Sequence, residues 1–374
     1  MTRTFLHSFD PPWDSPINGA TVDLDVVKIE DAGIREVLQT PGAAYGTWSI
    51  LDALLAPTGV GTPFIFREPL GQAREVKVAL SGLFGRFVAR AYLERYFNLS
   101  IFAHLGSQTI DLDRRRRIKI RRLSRGDLPD WIACASDLSS LTVAEAKGCH
   151  DPGGPAKALV RAWAQAGRID VTAQGRKVTV KRIAVATRWG MSAGGPTDAH
   201  LSVKDPLDEG EPVEPHEQDA LFIGMLRLHI ANLIRPLGHV ELADALYRLT
   251  RQPFARRLQA DLDLARAALD AAPVGEMDKA ATMGGLVGGI VTRAGPVAGA
   301  VVTPDDQEAL ARLNLRPVFV GIERELIRVA IDAEPQAVRA RLTKSVSADD
   351  FARADRAGGW IVPLGEERHI IGGT

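Results

Sequence analysis

The chain has 374 residues, of which 45% are hydrophobic and 25% are charged, as expected for a globular protein rather than a disordered one. Its 46 basic residues balance 46 acidic residues, so any surface that binds a polyanion must be local. Two cysteines exclude a disulfide framework and fit a reducing cytoplasm. The first residues contain no apolar stretch of the kind found in a signal peptide.

Residues 1–63 are predicted to form an N-terminal extension, because turn signals such as Asp10-Pro11-Pro12 and Pro41-Gly42 interrupt them. One strand is expected there, at Thr21 to Ile29. The following domain is predicted to cover residues 64–190.

Within residues 64–190, a helix and several short strands are predicted. Apolar residues fall on one helical face between Gly82 and Phe97. Strong helix formers predict a second helix, at Ala156 to Ala166. The apolar blocks that predict strands are Ser100 to Ala103, Arg117 to Ile120, Trp131 to Ala133, Leu141 to Ala144, Lys177 to Val180 and Ile183 to Thr187. The order predicts an α/β domain in which helices flank a central mixed sheet.

The remainder is predicted to be a linker, residues 191–217, and a C-terminal helical and small α/β domain, residues 218–374. Helical spacing covers Ala220 to Ile234 and Val240 to Ala272, a further helix is expected at Pro304 to Leu313, and strands are expected at Arg316 to Ile322 and Trp360 to Pro363. The apolar segment Ala281 to Thr303 could be a membrane span or buried strands. Its central Arg293 would cost about 2.5 to 3.5 kcal/mol in a bilayer, which favours strands and no membrane association.

One motif combines residue type, spacing and local pattern. Pro129-Asp130 and Glu145-Ala146-Lys147 are separated by 14 residues and lie on two predicted strands joined by a short polar turn. If the strands pair antiparallel, Asp130 lies beside Glu145, and alternation directs Glu145 and Lys147 to one face. Two adjoining carboxylates suit a hard divalent cation, with Mg²⁺ as the natural candidate and Mn²⁺ as a substitute.

The motif resembles the signature of the PD-(D/E)XK nuclease superfamily, which has the restriction-endonuclease-like fold. The resemblance covers about a third of the chain, and it implies metal-dependent hydrolysis of phosphodiester bonds in DNA rather than RNA, in defence against foreign DNA or in repair. It implies that Asp130 and Glu145 are metal ligands and that Lys147 positions the attacking water or stabilises charge. Gln165 is a further candidate catalytic residue, although no aromatic residue follows it as in the family pattern.

The helix before the motif departs from the family, because Arg86 stands where an acid is common. Glu94, further along that helix, is the candidate for the upstream acid.

A basic run precedes the motif, with eight basic residues and no acid between Arg114 and Arg125. Such a stripe could contact a phosphate backbone, or it could be a charged edge strand that discourages aggregation. Candidate nucleic-acid contacts on the stripe and on the helix after the motif are Arg114, Arg115, Arg116, Arg117, Lys119, Arg121, Lys157 and Arg161.

Three functions stay open at this point: an active nuclease, a nuclease-fold nucleic-acid-binding or scaffold protein without turnover, and a membrane-associated effector. Whether the chain is an endonuclease or an exonuclease, and whether it needs an ATPase, another partner protein or a second copy of itself, is also open. No Walker-type phosphate loop is present, so any ATP-driven step would have to come from a partner.

Overall fold

The computed structural model describes residues 2–12, 19–40, 55–56, 65–66, 74–105, 110–113, 117–136, 141–190, 198–206, 214–251, 255–272, 285–292, 295–297, 318–344 and 353–363. The strands are β1 Thr2–Asp10, β2 Thr21–Asp25, β3 Leu55–Ala56, β4 Ile65–Phe66, β5 Leu99–His104, β6 Ile110–Asp113, β7 Ile118–Arg122, β8 Trp131–Ala135, β9 Leu141–Cys149, β10 Ile169–Ala173, β11 Arg176–Lys177, β12 Lys181–Arg188, β13 His200–Lys204, β14 Leu286–Thr292, β15 Gly295–Val297, β16 Val318–Glu323, β17 Arg353–Ala354 and β18 Gly359–Pro363. The helices are α1 Val26–Gln39, α2 Arg74–Tyr96, α3 Ala156–Ala166, α4 Pro215–Ile234, α5 Val240–Arg251, α6 Ala255–Ala271, α7 Arg324–Asp332 and α8 Pro335–Lys344.

The largest sheet is mixed, has seven strands in the order β2-β1-β13-β12-β9-β8-β5, and is flanked by helices. β9 lies inside this sheet, antiparallel to β8 and parallel to β12. The first six residues of β9 are all buried, as expected for a strand covered on both faces. Helices α2 and α3 both pack against β9 and β12. The expected α/β architecture is therefore present.

The seven-stranded sheet extends across the predicted boundaries of the 64–190 domain. β1 and β2 come from the predicted N-terminal extension, and β13 comes from the predicted 191–217 linker. β13 pairs with β12 on one side and β1 on the other. Its short alternating sequence is enclosed by polar, Gly- and Pro-rich residues, which hide a strand from a composition-based interpretation.

The expected strand from Thr21 to Ile29 ends at Asp25, where α1 begins. The Asp25 side chain accepts a hydrogen bond from the Val27 amide at 2.8 Å and so caps the helix. Ile29 and Ile34 on α1 are fully buried, and α1 packs against α2. These contacts attach α1 to the hydrophobic core.

The C-terminal half has its own five-stranded sheet, in the order β15-β14-β16-β18-β17. Helix α4 contacts this sheet through β14 and β16 and the large sheet through β5 and β8. Arg227 on α4 also donates to the carbonyls of Ala330 and Ile331, both at 2.8 Å. The part predicted as a separate domain is thus packed onto the rest of the core.

Part of the apolar segment Ala281 to Thr303 forms β14 and β15, which pair antiparallel. Among the helices of the described ranges, none combines the length and apolarity that a membrane crossing requires. The expected helix at Pro304 to Leu313 lies outside the described residues.

Candidate active site

The β8–β9 hairpin brings Asp130 and Glu145 together. Trp131 pairs with Ala144, so Asp130 at the entry to β8 faces Glu145 on β9. The Asp130 amide donates to Glu145 Oε2 at 2.8 Å, and the Ala146 amide donates to Asp130 Oδ2 at 2.9 Å. These reciprocal bonds hold both carboxylates in fixed orientations at one end of the hairpin.

Lys147 lies two residues beyond Glu145 on the same face of β9. Its Nζ contacts Glu145 Oε1; the Lys147 side chain is 36% exposed, whereas that of Glu145 is fully buried. Burial, and then the charge of Asp130, raise the pKa of Glu145 to about 8, against the opposing effect of Lys147. The carboxylate pair is therefore under electrostatic strain that a further cation would relieve.

A third carboxylate, that of Glu36 on α1, joins the site through Arg86 on α2. Arg86 Nη2 contacts Glu36 Oε1, and Arg86 Nε lies 3.4 Å from Asp130 Oδ1. Sequence reasoning missed Glu36 because α1 was not expected there. A helical reading of Val26–Gln39 would have placed Glu36 beside Ile29 and Ala32, on the buried face.

Five side chains surround the Glu36 carboxylate. Besides Arg86, these are His104 Nε2 at 3.0 Å, Trp131 Nε1 at 2.9 Å, Arg90 Nη1 at 3.2 Å and Thr40 Oγ1 at 3.4 Å. Burial alone would raise the pKa of Glu36, but the neighbouring positive charges, that of Arg86 first, outweigh it and hold the pKa well below its usual range. Glu36 is thus a permanent anion inside the core.

Glu94, the expected upstream acid, is placed elsewhere. Its carboxylate accepts from Arg35 at 2.7 Å and from Arg90 at 3.1 Å. Glu94 lies eight positions after Arg86 on the helix, which corresponds to about 12 Å along the axis. Glu94 therefore stabilises the contact between α1 and α2 and does not converge with Asp130.

Gln165 is buried on α3, and its Nε2 donates to the Leu128 carbonyl at 2.6 Å. Leu128 lies two residues before Asp130. Gln165 therefore holds the main chain next to Asp130. It acts as a positioning residue.

The basic stripe is only partly described, because Arg114, Arg115 and Arg116 lie outside the described residues. Arg117, Lys119 and Arg121 are exposed, and they alternate with the buried Ile118 and Ile120. β7 is paired on both sides in a four-stranded sheet of order β11-β10-β7-β6, so it is not an edge strand.

Lys157 and Arg161 are exposed on α3. They are four residues apart and therefore share one face of the helix. This face is the second candidate surface for phosphate contacts.

The carboxylate pair fits a magnesium ion that keeps several waters. Across the described ranges, no group of three or more His, Cys, Asp and Glu side chains is arranged to hold a metal. Asp130 and Glu145 offer two oxygen-donor side chains, and Mg²⁺ is commonly held by one or two carboxylates together with water and phosphate oxygens. Glu145 is buried and Asp130 is partly buried, and a bound cation would favour the ionised form of the Glu145 carboxyl, whose pKa burial and Asp130 raise.

Comparison of the chain with protein-family models, curated proteins and solved structures found no match. The chemistry of the site is inferred from its own side chains: two adjoining carboxylates, a lysine, and an arginine anchored by a third carboxylate.

Proposed function

We propose that the chain is a metal-dependent nuclease with a PD-(D/E)XK-like core that hydrolyses phosphodiester bonds in DNA. The observation that carries this proposal is the reciprocal bonding of Asp130 and Glu145 beside Lys147. The order α2, β5, β8, β9, α3, β12 supports it, because the motif lies on a hairpin whose second strand runs parallel to β12 after a helical crossover.

Each side chain has a distinct role in this proposal. Asp130 and Glu145 would hold Mg²⁺ or Mn²⁺, which supplies charge neutralisation and polarises a phosphate oxygen. Lys147, whose side chain is 36% exposed, orients the attacking water through its ammonium group. The water oxygen bonds to phosphorus while one ester P–O bond breaks, and a water proton ends on the released alcohol.

The test is cleavage of plasmid and linear DNA by purified protein with Mg²⁺ or Mn²⁺. We expect Asp130→Ala and Lys147→Ala each to lower the rate at least about 100-fold, because each removes a charged group from the reacting centre. Lys28→Ala, at an exposed lysine on α1, is the matched control and should cleave normally. Thermal unfolding would verify that all variants fold. Cleavage that survives both site substitutions would refute the assignment.

A second candidate is a nucleic-acid-binding or scaffold protein that has the fold without turnover. The observation that favours it is internal neutralisation, since Arg86 and Lys147 already contact Asp130 and Glu145. Metal-independent DNA binding with no cleavage under any divalent cation would support this alternative over the nuclease.

A further inference from the structure

Arg86 lies between two carboxylates and is anchored on one side only. Its Nη2 contacts Glu36 Oε1 and donates to Thr40 Oγ1 at 3.1 Å. The guanidinium carbon lies 5.9 Å from the centre of the Trp131 ring. These contacts fix the plane of the group beside the Asp130–Glu145 pair.

Glu36 serves as the anchor of Arg86 and has no oxygen left for a metal. Oε1 is taken by Arg86 and His104, and Oε2 by Trp131 and Arg90. The Glu36 side chain is only 1% exposed. The third carboxylate of the site therefore binds a protein cation and offers no oxygen to a second metal ion.

The opposite side of Arg86 retains unused donors. Nε is buried, lies 3.4 Å from Asp130 Oδ1 and has no hydrogen-bond partner within the part of the chain that the structure describes, so the group that remains open to a ligand is Nη1. No described residue accepts a hydrogen bond from Nη1, and the Arg86 side chain is 21% exposed. A planar guanidinium with free N–H groups is well suited to phosphate oxygens.

We propose that Arg86 binds a non-bridging oxygen of the scissile phosphate, next to the single cation held by Asp130 and Glu145. This inference rests on the proposed nuclease function. It assigns the stabilisation of phosphate charge to one protein side chain and one metal ion together. A guanidinium held in place by Glu36 stabilises the charge that develops on the phosphate, which in two-metal sites is a role of the second ion.

The test compares Arg86→Gln and Arg86→Lys with the wild type in three measurements. The first is Mn²⁺ binding to the DNA-free protein. Because Arg86→Gln removes a positive charge beside Asp130, we expect its affinity for Mn²⁺ to rise several-fold, whereas Arg86→Lys keeps the charge and should bind Mn²⁺ like the wild type.

The second measurement is binding of a duplex oligonucleotide in Ca²⁺, and the third is cleavage in Mg²⁺. Arg86→Gln should weaken DNA binding about tenfold and lower the cleavage rate about 100-fold. Arg86→Lys should lose less DNA affinity and less cleavage rate than Arg86→Gln. The lysine ammonium group keeps the positive charge but cannot form the paired hydrogen bonds of a planar guanidinium. If Arg86 only stabilised the fold, Arg86→Gln would weaken both Mn²⁺ binding and DNA binding.

The outcomes separate the two proposals. Equal cleavage by wild type and both variants would overturn the role of Arg86 and leave the nuclease intact. Absence of Mn²⁺ binding and cleavage in the wild type would refute the nuclease, and the role of Arg86 with it. If Arg86→Gln does not fold, Arg86→Lys carries the test through its cleavage rate and DNA affinity.

Discussion

Glu36 and Glu145 are both fully buried carboxyl groups, yet their surroundings shift their pKa values in opposite directions. Burial raises the pKa of each, because the charged form loses its hydration. Around Glu36 the positive charges outweigh this effect, whereas Glu145 has Asp130 as an acidic neighbour and Lys147 as its compensating cation. The first carboxylate stabilises the protein scaffold, and the second is the one that gains from an added cation.

Burial also shifts the pKa of His229 on α4, a residue that contacts β5 and α1. Its Nδ1 accepts from the Phe102 amide at 3.1 Å, and Gln39 donates to its carbonyl at 3.1 Å. Burial first, and then the charge of Arg90, lower the pKa of His229 to about 3. The imidazole is therefore neutral in the folded protein at neutral pH.

His229 should make stability depend on pH. The unfolded chain takes up a proton near pH 6.5 and the folded chain only near pH 3, so the contribution is fully present above pH 6.5 and is lost as the pH falls toward 3. Between pH 7 and pH 5 the contribution of His229 should fall by about 2 kcal/mol, at about 1.4 kcal/mol per pH unit, whereas Glu145, with a folded-state pKa of about 8, contributes in the opposite direction in both proteins. The measurement is urea unfolding of wild type and His229→Asn across this range.

The comparison between these two proteins isolates His229, because the other titrating groups are common to both. Glu36 loses its stabilising charge only below its unfolded pKa of 4.5, outside this range. A difference in unfolding free energy that stays constant from pH 7 to pH 5 would contradict the assignment.

At the scale of elements, the site depends on close contact between α2 and β9. A Cβ added to Gly148 would lie 1.5 Å from the Ser81 carbonyl oxygen, and one added to Gly85 would lie 2.6 Å from the Gly148 Cα. The two backbones therefore touch next to Lys147. This approach places Arg86, the residue after Gly85, beside the carboxylates.

Gly148→Ala should force α2 away from β9. We expect the free energy of unfolding to fall by about 1 to 3 kcal/mol, the usual cost of overpacking, and the site to lose its alignment. Gly82→Ala is the matched control, since a Cβ there has nothing within 4 Å. Because alanine favours helix, the control should be neutral or stabilising by up to about 1 kcal/mol. Equal melting temperatures for the two variants would contradict the predicted contact.

At the scale of the whole molecule, an overall net charge of zero coexists with local basic surfaces. Lys119 and Arg121 are exposed on β7, where Arg121 lies opposite Asp170 on β10. Lys177 and Arg182 both contact Asp170, at 3.4 and 3.2 Å, so basic groups outnumber this acid. Under the proposed nuclease function, this surface is a candidate for contacts with the sugar–phosphate backbone, which carry no sequence information.

The Lys119→Ala, Arg121→Ala double variant should weaken DNA binding more at low salt than at high salt. Each lost phosphate contact reduces the slope of log affinity against log salt by about 1, so the slope should fall by about 2. Fluorescence anisotropy in Ca²⁺ at several salt concentrations measures this. Arg328→Ala on α7, also at an exposed arginine, is the control. An unchanged slope would exclude this face from the DNA-binding surface.

Local patterns were sufficient for the hairpin and for the convergence of its two carboxyl groups. Side chains at Glu145, Ala146 and Lys147 alternate between the two faces of the strand, and a short polar turn precedes this strand. Both features depend only on neighbouring residues, so the pairing of Asp130 with Glu145 could be predicted. The helices that contain Arg86 and Gln165 could be predicted for the same reason, because helical periodicity is also local.

Long-range packing decided the rest. β1 joins the large sheet by pairing with β13, where Leu6 lies opposite His200, and Trp131 reaches Glu36 across 95 residues. Whether a carboxylate such as Glu36 or Glu94 enters the site depends on which helix faces lie together, which one sequence window does not encode. The residues near Asp130 determined the pairing of Asp130 with Glu145, whereas the packing of α1 on α2 brought Glu36 to the site as the third acid and gave Arg86 its fixed position.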